Sequence, residues 1–181
     1  GILANTPRSG FFFLGSGKQS VAEHVNRMTY VGYALSKMAE ADTEKVLKMC
    51  MFHDFAEART SDLNYVHQKY VKADEEKAIN DATENIFFGK DIQNVFTEFE
   101  KQETKEALLA KDADHLEFIL SLKEQLDIGN TRAEDWISKA IKRLKTNEAK
   151  ELAKTILETA SEEWWFGNKE DEWWISKNKL K

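Results

Sequence analysis

The chain has 181 residues, of which 41 % are hydrophobic and 32 % charged, the balance of a folded globular protein and not of a disordered one. A formal net charge of -6 argues against duplex nucleic acid as the main partner, because such binding rests on neutralising phosphates; a small anionic ligand needs only one or two placed cations. No apolar run approaches the length of a membrane span, and no signal-peptide pattern opens the sequence.

One proline and eight glycines leave few breakers, and abundant Ala, Leu, Glu and Lys favour helix. The expected fold class is therefore all-α, a compact bundle, with residues 1–181 as one domain. Residues 1–19, with Pro7, Gly10, Gly15 and Gly17 around Phe11-Phe12-Phe13-Leu14, read as an irregular lead-in holding one buried extended or single-turn piece. The first clear helix starts at Ser20, where Ser20 and Glu23 have capping-box spacing. Its apolar stripe is Val21, Val25, Met28, Val31, Leu35 and Met38, and His24 lies within it.

A second helix is predicted from Asp42 or Thr43 through Val46, Leu47, Met49, Cys50, Met51 and Phe52 to about Ala58; apolar nearly all round, it is expected to be central. Thr60-Ser61-Asp62 reads as a turn, since short polar side chains compete for backbone hydrogen bonds. Residues 73–88 predict a polar helix with Ile79, Ala82, Ile86 and Phe87 as its apolar side and Gly89 at its end. A short helix over 91–98 leads into a long one over roughly 100–126, with Ala107, Ala110, Asp114, Phe118 and Ser121 on one face and Gly129 as its stop. Helices over 132–145 and 147–165 follow, then the aromatic pairs Trp164-Trp165 and Trp173-Trp174.

Several side chains along these elements carry possible chemistry, each with a plainer alternative. A histidine on an apolar stripe, such as His24, is often just packed and hydrogen-bonded. His53 beside Asp54, directly after a buried run, puts ionisable groups where desolvation is costly unless they are paired or bound to metal. Asp114 lies on the inward side of a long helix, where the alternative is a salt bridge to Arg27 or Lys111. Together they offer two His and two Asp from three segments, a nitrogen and oxygen donor set suited to divalent ions. Arg8 is otherwise a mobile surface arginine, Glu57 a solvated helix-end carboxylate, Asp62 a turn cap and Lys18 a solvated lysine. His67 is solitary, and His115 points about 100° away from Asp114 on a helix, so both are left out of the site. Cys50, the one cysteine, allows no intrachain disulfide, is expected in the core, and suits a reducing, cytoplasmic setting.

The ordered set Pro7-Arg8-Ser9-Gly10-Phe11, Ser20-Val21-Ala22-Glu23-His24, His53-Asp54-Phe55-Ala56-Glu57, Thr60-Ser61-Asp62-Leu63 and Lys111-Asp112-Ala113-Asp114 resembles the HD-domain superfamily of metal-dependent phosphohydrolases. Within it, the set looks like the subgroup that holds bacterial 5'-deoxynucleotidases and related eukaryotic and archaeal proteins. The resemblance covers about residues 7–120, within a recognisable core of about 7–126; the helical extension over 130–181 carries no signature.

The resemblance implies one divalent ion (Mn, Co, Fe, Ni, Zn or Mg) held by His24, His53, Asp54 and Asp114. It implies a nucleotide phosphate gripped by Arg8, with Lys18 a weaker second contact. Glu57 and Asp62 match acidic positions of which one assists proton transfer and the other holds the sugar, and Asp54 and Glu57 would be catalytic. The implied reaction is hydrolysis of nucleoside 5'-monophosphates, of the deoxy series if the subgroup holds, by a homodimer. The alternatives are another phosphohydrolase, acting on a triphosphate or cyclic nucleotide, and a non-enzymatic helical module. The chain departs from the subgroup at Phe11 (usually Trp), Gln19 (usually Glu), Ser61 (usually Gly) and Asn64-Tyr65-Val66-His67, where a proline-rich stretch is usual. These departures bear on the substrate pocket, not on the metal set.

Overall fold

The computed structural model describes residues 1–176. Among them it holds helices and no strand; the one extended pairing is an antiparallel bridge between Pro7 and Ser20. Around that bridge the Arg8 amide donates to the Gln19 carbonyl (2.8 Å) and the Val21 amide to that of Thr6 (2.9 Å). The lead-in is thereby tied to the start of the next helix. After a 3-10 turn at Ile2–Ala4, the short helix α1 (Phe11–Leu14) buries Leu14 against Leu122, Ala133 and Ile137.

Helix α2 (Val21–Met38) begins at Ser20 with the expected capping box in place. Helix α3 (Thr43–Phe52) is capped by Asp42, whose side chain accepts from the Lys45 amide. The two pack closely at Gly32, where a Cβ would lie 2.5 Å from Cys50 Sγ. Helix α3 does not run on to Ala58. The Cys50 carbonyl, which a continuing helix would offer to the Asp54 amide, accepts from Nδ1 of His53 (3.0 Å). The chain turns through 53–56 before the single turn α4 (Glu57–Thr60).

Ser61 then takes φ 62°, ψ 161°. Beyond it, the buried Asn64 side chain accepts from the amides of Val66 and His67 (3.0 Å each) and makes the turn where the resemblance leads one to expect proline. Helix α5 (Glu75–Thr83) is shorter than predicted, and Gly89 opens α6 (Gly89–Lys101) instead of closing α5. A Cβ at Gly89 would run into the Thr83 carbonyl, so the residue serves the close approach of the α5–α6 turn. Phe87 stands on that turn fully exposed, not on a buried face.

The surrounded helix is α7 (Lys105–Asp127), not α3, whose Met51 is half exposed. Helix α7 packs against α2, α3, α6, α8 (Arg132–Ala140) and α9 (Asn147–Glu158). Its buried positions include Leu109, Asp112, Leu116, Glu117, Ile119 and Leu122, which face several neighbours at once. The buried Asp112 carboxylate accepts from the Lys145 amide, from the Thr146 amide and from the Thr146 hydroxyl (2.7 to 3.1 Å). The predicted helix over 132–145 is broken by a tighter turn at Ile141–Arg143, and the one over 147–165 ends at Glu158. Single turns α10 (Glu163–Phe166) and α11 (Trp173–Ser176) follow and carry the aromatic pairs.

Candidate metal centre

Three helices deliver the donor atoms. The α2 stripe turns His24 fully inward, the end of α3 presents His53, and the buried helix α7 presents Asp114. Ligand atoms of His24, His53 and Asp114 all lie within 4.8 Å of one another. The two Nε2 atoms are 3.3 Å apart, and Asp114 Oδ1 is 3.4 Å from that of His24. Because the chain turns immediately after His53, Asp54 points to the same spot: its Oδ2 lies 3.1 Å from His53 Nε2 and 3.5 Å from His24 Nε2.

The far side of each ring is fixed. His53 Nδ1 faces the Cys50 carbonyl, and His24 Nδ1 faces Glu117 Oε2 at 2.5 Å. With Nδ1 occupied on both rings, the two Nε2 atoms and the carboxylate oxygens converge on one point. A cation there would take the place of the proton that the carboxylates favour on His24, with the outer partners holding ring orientation. The donor set thus fits one divalent ion of mixed nitrogen and oxygen ligation.

Glu117 was not evident from the sequence. It is almost fully buried and also receives Arg27 Nε (2.9 Å) and Gln19 Nε2 (2.6 Å). Arg27, one of the two cations expected for Asp114, is spent on Glu117 and Glu124. Lys111 does pair with Asp114, at 2.9 Å, and its ammonium lies over the Phe99 ring.

A cavity of about 260 Å³ opens beside the cluster, lined among others by Arg8, Asp54, Glu57, Asp62, Lys111 and Asp114. Arg8 Nη1 is 3.3 Å from Asp54 and 3.6 Å from Asp62, and its Nη2 is 4.0 Å from Asp114. Glu57 lies on the same wall, with Oε2 buried and without a hydrogen-bond partner. His115 also lines the cavity, contrary to the expectation from its helical angle. Because α7 is buried on most sides, a step of about 100° still faces a neighbour. Arg143, from the extension, reaches the same cavity and bonds the Tyr65 hydroxyl at 3.0 Å. Lys18 does not join them; it is exposed and borders a separate depression with Glu23, Arg27 and Glu124. His67 lies outside, as expected.

Burial and charge set the carboxyls apart. Burial alone would raise Asp54, but His53, Arg8 and His24 hold it well below the usual carboxylate range. Asp114 is likewise held low against its burial, by Lys111 and His24. Glu57 lacks such a cation in contact; burial, reinforced by Asp54 and Asp62, pushes it up to about 9. Burial and Arg8 draw His24 down, yet Asp114 and Glu117 outweigh them and bring it to about 9.

The HD domain family model matches residues 1–156. The chain belongs to the HD-domain family. Among known proteins, this HD domain is similar to the 5'-deoxynucleotidase HDDC2 of Dictyostelium discoideum, with 34 % identity over 119 residues, 59 % of this chain and 62 % of that one. It is also similar to the 5'-deoxynucleotidase HDDC2 of Danio rerio, with 28 % identity over 131 residues, 68 % of this chain and 64 % of that one. The chain thus spans less than two thirds of the length of these two relatives. Among solved structures, a conserved hypothetical protein from Pyrococcus furiosus superimposes with a TM-score of 0.74 at 26 % identity, covering 87 % of this HD domain and 95 % of that chain.

Proposed function

We propose that this HD domain is a metal-dependent phosphohydrolase that removes the 5'-phosphate of nucleoside monophosphates, with deoxyribonucleotides as the preferred class. One observation carries the reading: the Nε2 atoms of His24 and His53 meet the carboxylates of Asp54 and Asp114 beside the Arg8 guanidinium, at the wall of one cavity. The similarity to 5'-deoxynucleotidases supports the substrate class.

In this reading Asp54 is the fourth ligand, beside His24, His53 and Asp114. A divalent ion held there supplies Lewis acidity toward a phosphoryl oxygen and lowers the pKa of water. Arg8 offers a planar fork to two phosphate oxygens. Glu57, with an unpartnered oxygen and a raised pKa, holds or passes a proton at Oε2 during the transfer. Lys111 keeps Asp114 oriented. Helices α8 and α9 pack on α7, which supports reading the chain as one domain. The unpaired, buried Cys50 is in keeping with a cytoplasmic site of action. The exposed Trp164, Trp165 and Trp173 support a homodimer that buries this aromatic surface, and the acidic charge argues against duplex nucleic acid.

Phosphate release from nucleoside mono-, di- and triphosphates, in deoxy and ribo forms, tests the reading with each of Mn, Co, Fe, Ni, Zn and Mg supplied. Deoxynucleoside monophosphates should be the best substrates, and Asp114→Ala should be inactive. Arg8→Ala should lower kcat/KM about tenfold or more, about 1.4 kcal/mol. No phosphate release from any nucleotide by protein that demonstrably binds the ion would overturn it. For the assembly, light scattering that gives the monomer mass at all concentrations would remove the dimer.

A further inference from the structure

We propose that Asp62 is a positioning residue: its carboxylate braces the Arg8–Ser9 segment and so sets where the phosphate-binding fork stands. The inference rests on the reading of Arg8 given above and assigns Asp62 a task other than holding the sugar. Both carboxylate oxygens are engaged by Ser9. Oδ2 accepts from the Ser9 amide (3.1 Å) and Oδ1 from the Ser9 hydroxyl (3.3 Å), while Oδ2 also lies 3.6 Å from Arg8 Nη1. Ser9 itself is buried, at 4 % exposure.

The other end of the segment is tied down by the Arg8 amide on the Gln19 carbonyl and by the Pro7–Ser20 bridge. Arg8 therefore leaves a backbone held on both sides. Its guanidinium lies between Asp54 and Asp62 on one nitrogen and Asp114 on the other. A free arginine samples many rotamers and would have to be ordered by the ligand, so a fork aimed in advance binds more tightly. Without Asp62, the guanidinium is left to Asp54 and Asp114 alone, both candidate ligands of the ion.

The backbone beside the brace points the same way. Ser61 occupies φ 62°, ψ 161°, a region that is costly for any residue with a Cβ and that persists where the surroundings impose it. The next residue is Asp62, whose carboxylate meets Ser9.

The test is calorimetric titration of inorganic phosphate into the full-length, Mn-loaded protein, for wild type, Arg8→Ala, Asp62→Asn and the double variant. Positioning predicts that Asp62→Asn weakens phosphate about tenfold, near the effect of Arg8→Ala, and that the double variant is no weaker than Arg8→Ala alone, because one interaction is lost twice. It also predicts that kcat/KM for a deoxynucleoside monophosphate falls by the same factor as phosphate affinity. Unchanged phosphate binding in Asp62→Asn, with a loss confined to the nucleotide, would instead make Asp62 a sugar contact and overturn the proposal. Additive losses in the double variant would overturn it too. Ser9→Ala, which removes one hydroxyl bond, is the second variant should Asp62→Asn fail to fold, and a loss of phosphate affinity that vanishes in the Arg8→Ala background is expected. If Arg8→Ala itself leaves phosphate binding intact, the reading of Arg8 fails, a result distinct from any failure of Asp62.

Discussion

Replacing Ser61 with glycine should stabilise the protein while leaving its site intact. Ser61 closes α4 at φ 62°, ψ 161°, and its amide donates to the Glu57 carbonyl (3.0 Å). The side chain is exposed, so deletion removes little packing. Holding a residue with a Cβ in this region costs about 1–3 kcal/mol, and glycine relieves that cost. Against it stands the larger entropy that glycine loses on folding, about 0.5–1 kcal/mol. The balance is about 1 kcal/mol in favour of Ser61→Gly, which for a chain of this size raises Tm by about 2–4 °C. Ser61→Ala keeps the Cβ and should leave Tm within about 1 °C of wild type. Thermal unfolding followed by circular dichroism, at fixed metal and pH, measures both. A fall in Tm for Ser61→Gly, or an equal rise for Ser61→Ala, would refute the argument from backbone strain.

Gly32→Ala should cost stability despite alanine's better helix propensity, because overpacking at Cys50 Sγ, 2.5 Å from the new Cβ, costs about 1–3 kcal/mol against about 1 kcal/mol gained. Adding Cys50→Ala should restore the loss, and denaturant melts decide. Glu117→Gln should lower affinity for a divalent ion about 10–100-fold, by removing the negative charge behind the His24 ring; calorimetry that finds unchanged affinity would remove Glu117 from the metal centre. Saturating ion at about 100 times its Kd should add about 2.7 kcal/mol of stability, reversed by chelator. A thermal shift in Asp114→Ala as large as in wild type would refute the assignment of that ligand.

His24, His53 and Asp114, which the structure brings together, were each weak signals alone and became legible through the ordered set that resembles the HD-domain superfamily. His24 lies in a clean helical stripe, His53 and Asp54 directly follow an apolar run, and Asp114 keeps register with Ala107 and Ala110. Glu117 was hidden because a charged residue among helical Lys and Glu reads as solvated, although it stands one turn after Asp114. Only the packing of α2 against α7 reveals that it backs His24. The break after α3 was hidden for a different reason. His53 to Ala58 contain no proline or glycine, and the chain turns there with the His53 ring bonded to the Cys50 carbonyl, a choice made by the site and not by local preference. His115 reaches the cavity although it stands about 100° from Asp114, because α7 lacks a solvent side over most of its length.

The buried Asp112 carboxylate has a further consequence for how far the chain can be divided. Asp112 and Asp114 leave α7 in different directions: one joins the donor cluster, while the other is satisfied wholly by the amides of Lys145 and Thr146 and the Thr146 hydroxyl. Cutting the chain near residue 130, after the part with recognisable sequence, would strand that charge inside the protein and also uncover Ala110, Ala113 and Leu116, which belong to the cluster shared with Leu144, Ala149 and Ala153. We infer that a unit able to fold alone includes α9, because α7 shares its buried cluster with Leu144, Ala149 and Ala153. The helix that presents Asp114 is held on another flank, through Asp112, by a segment whose own sequence says nothing about chemistry.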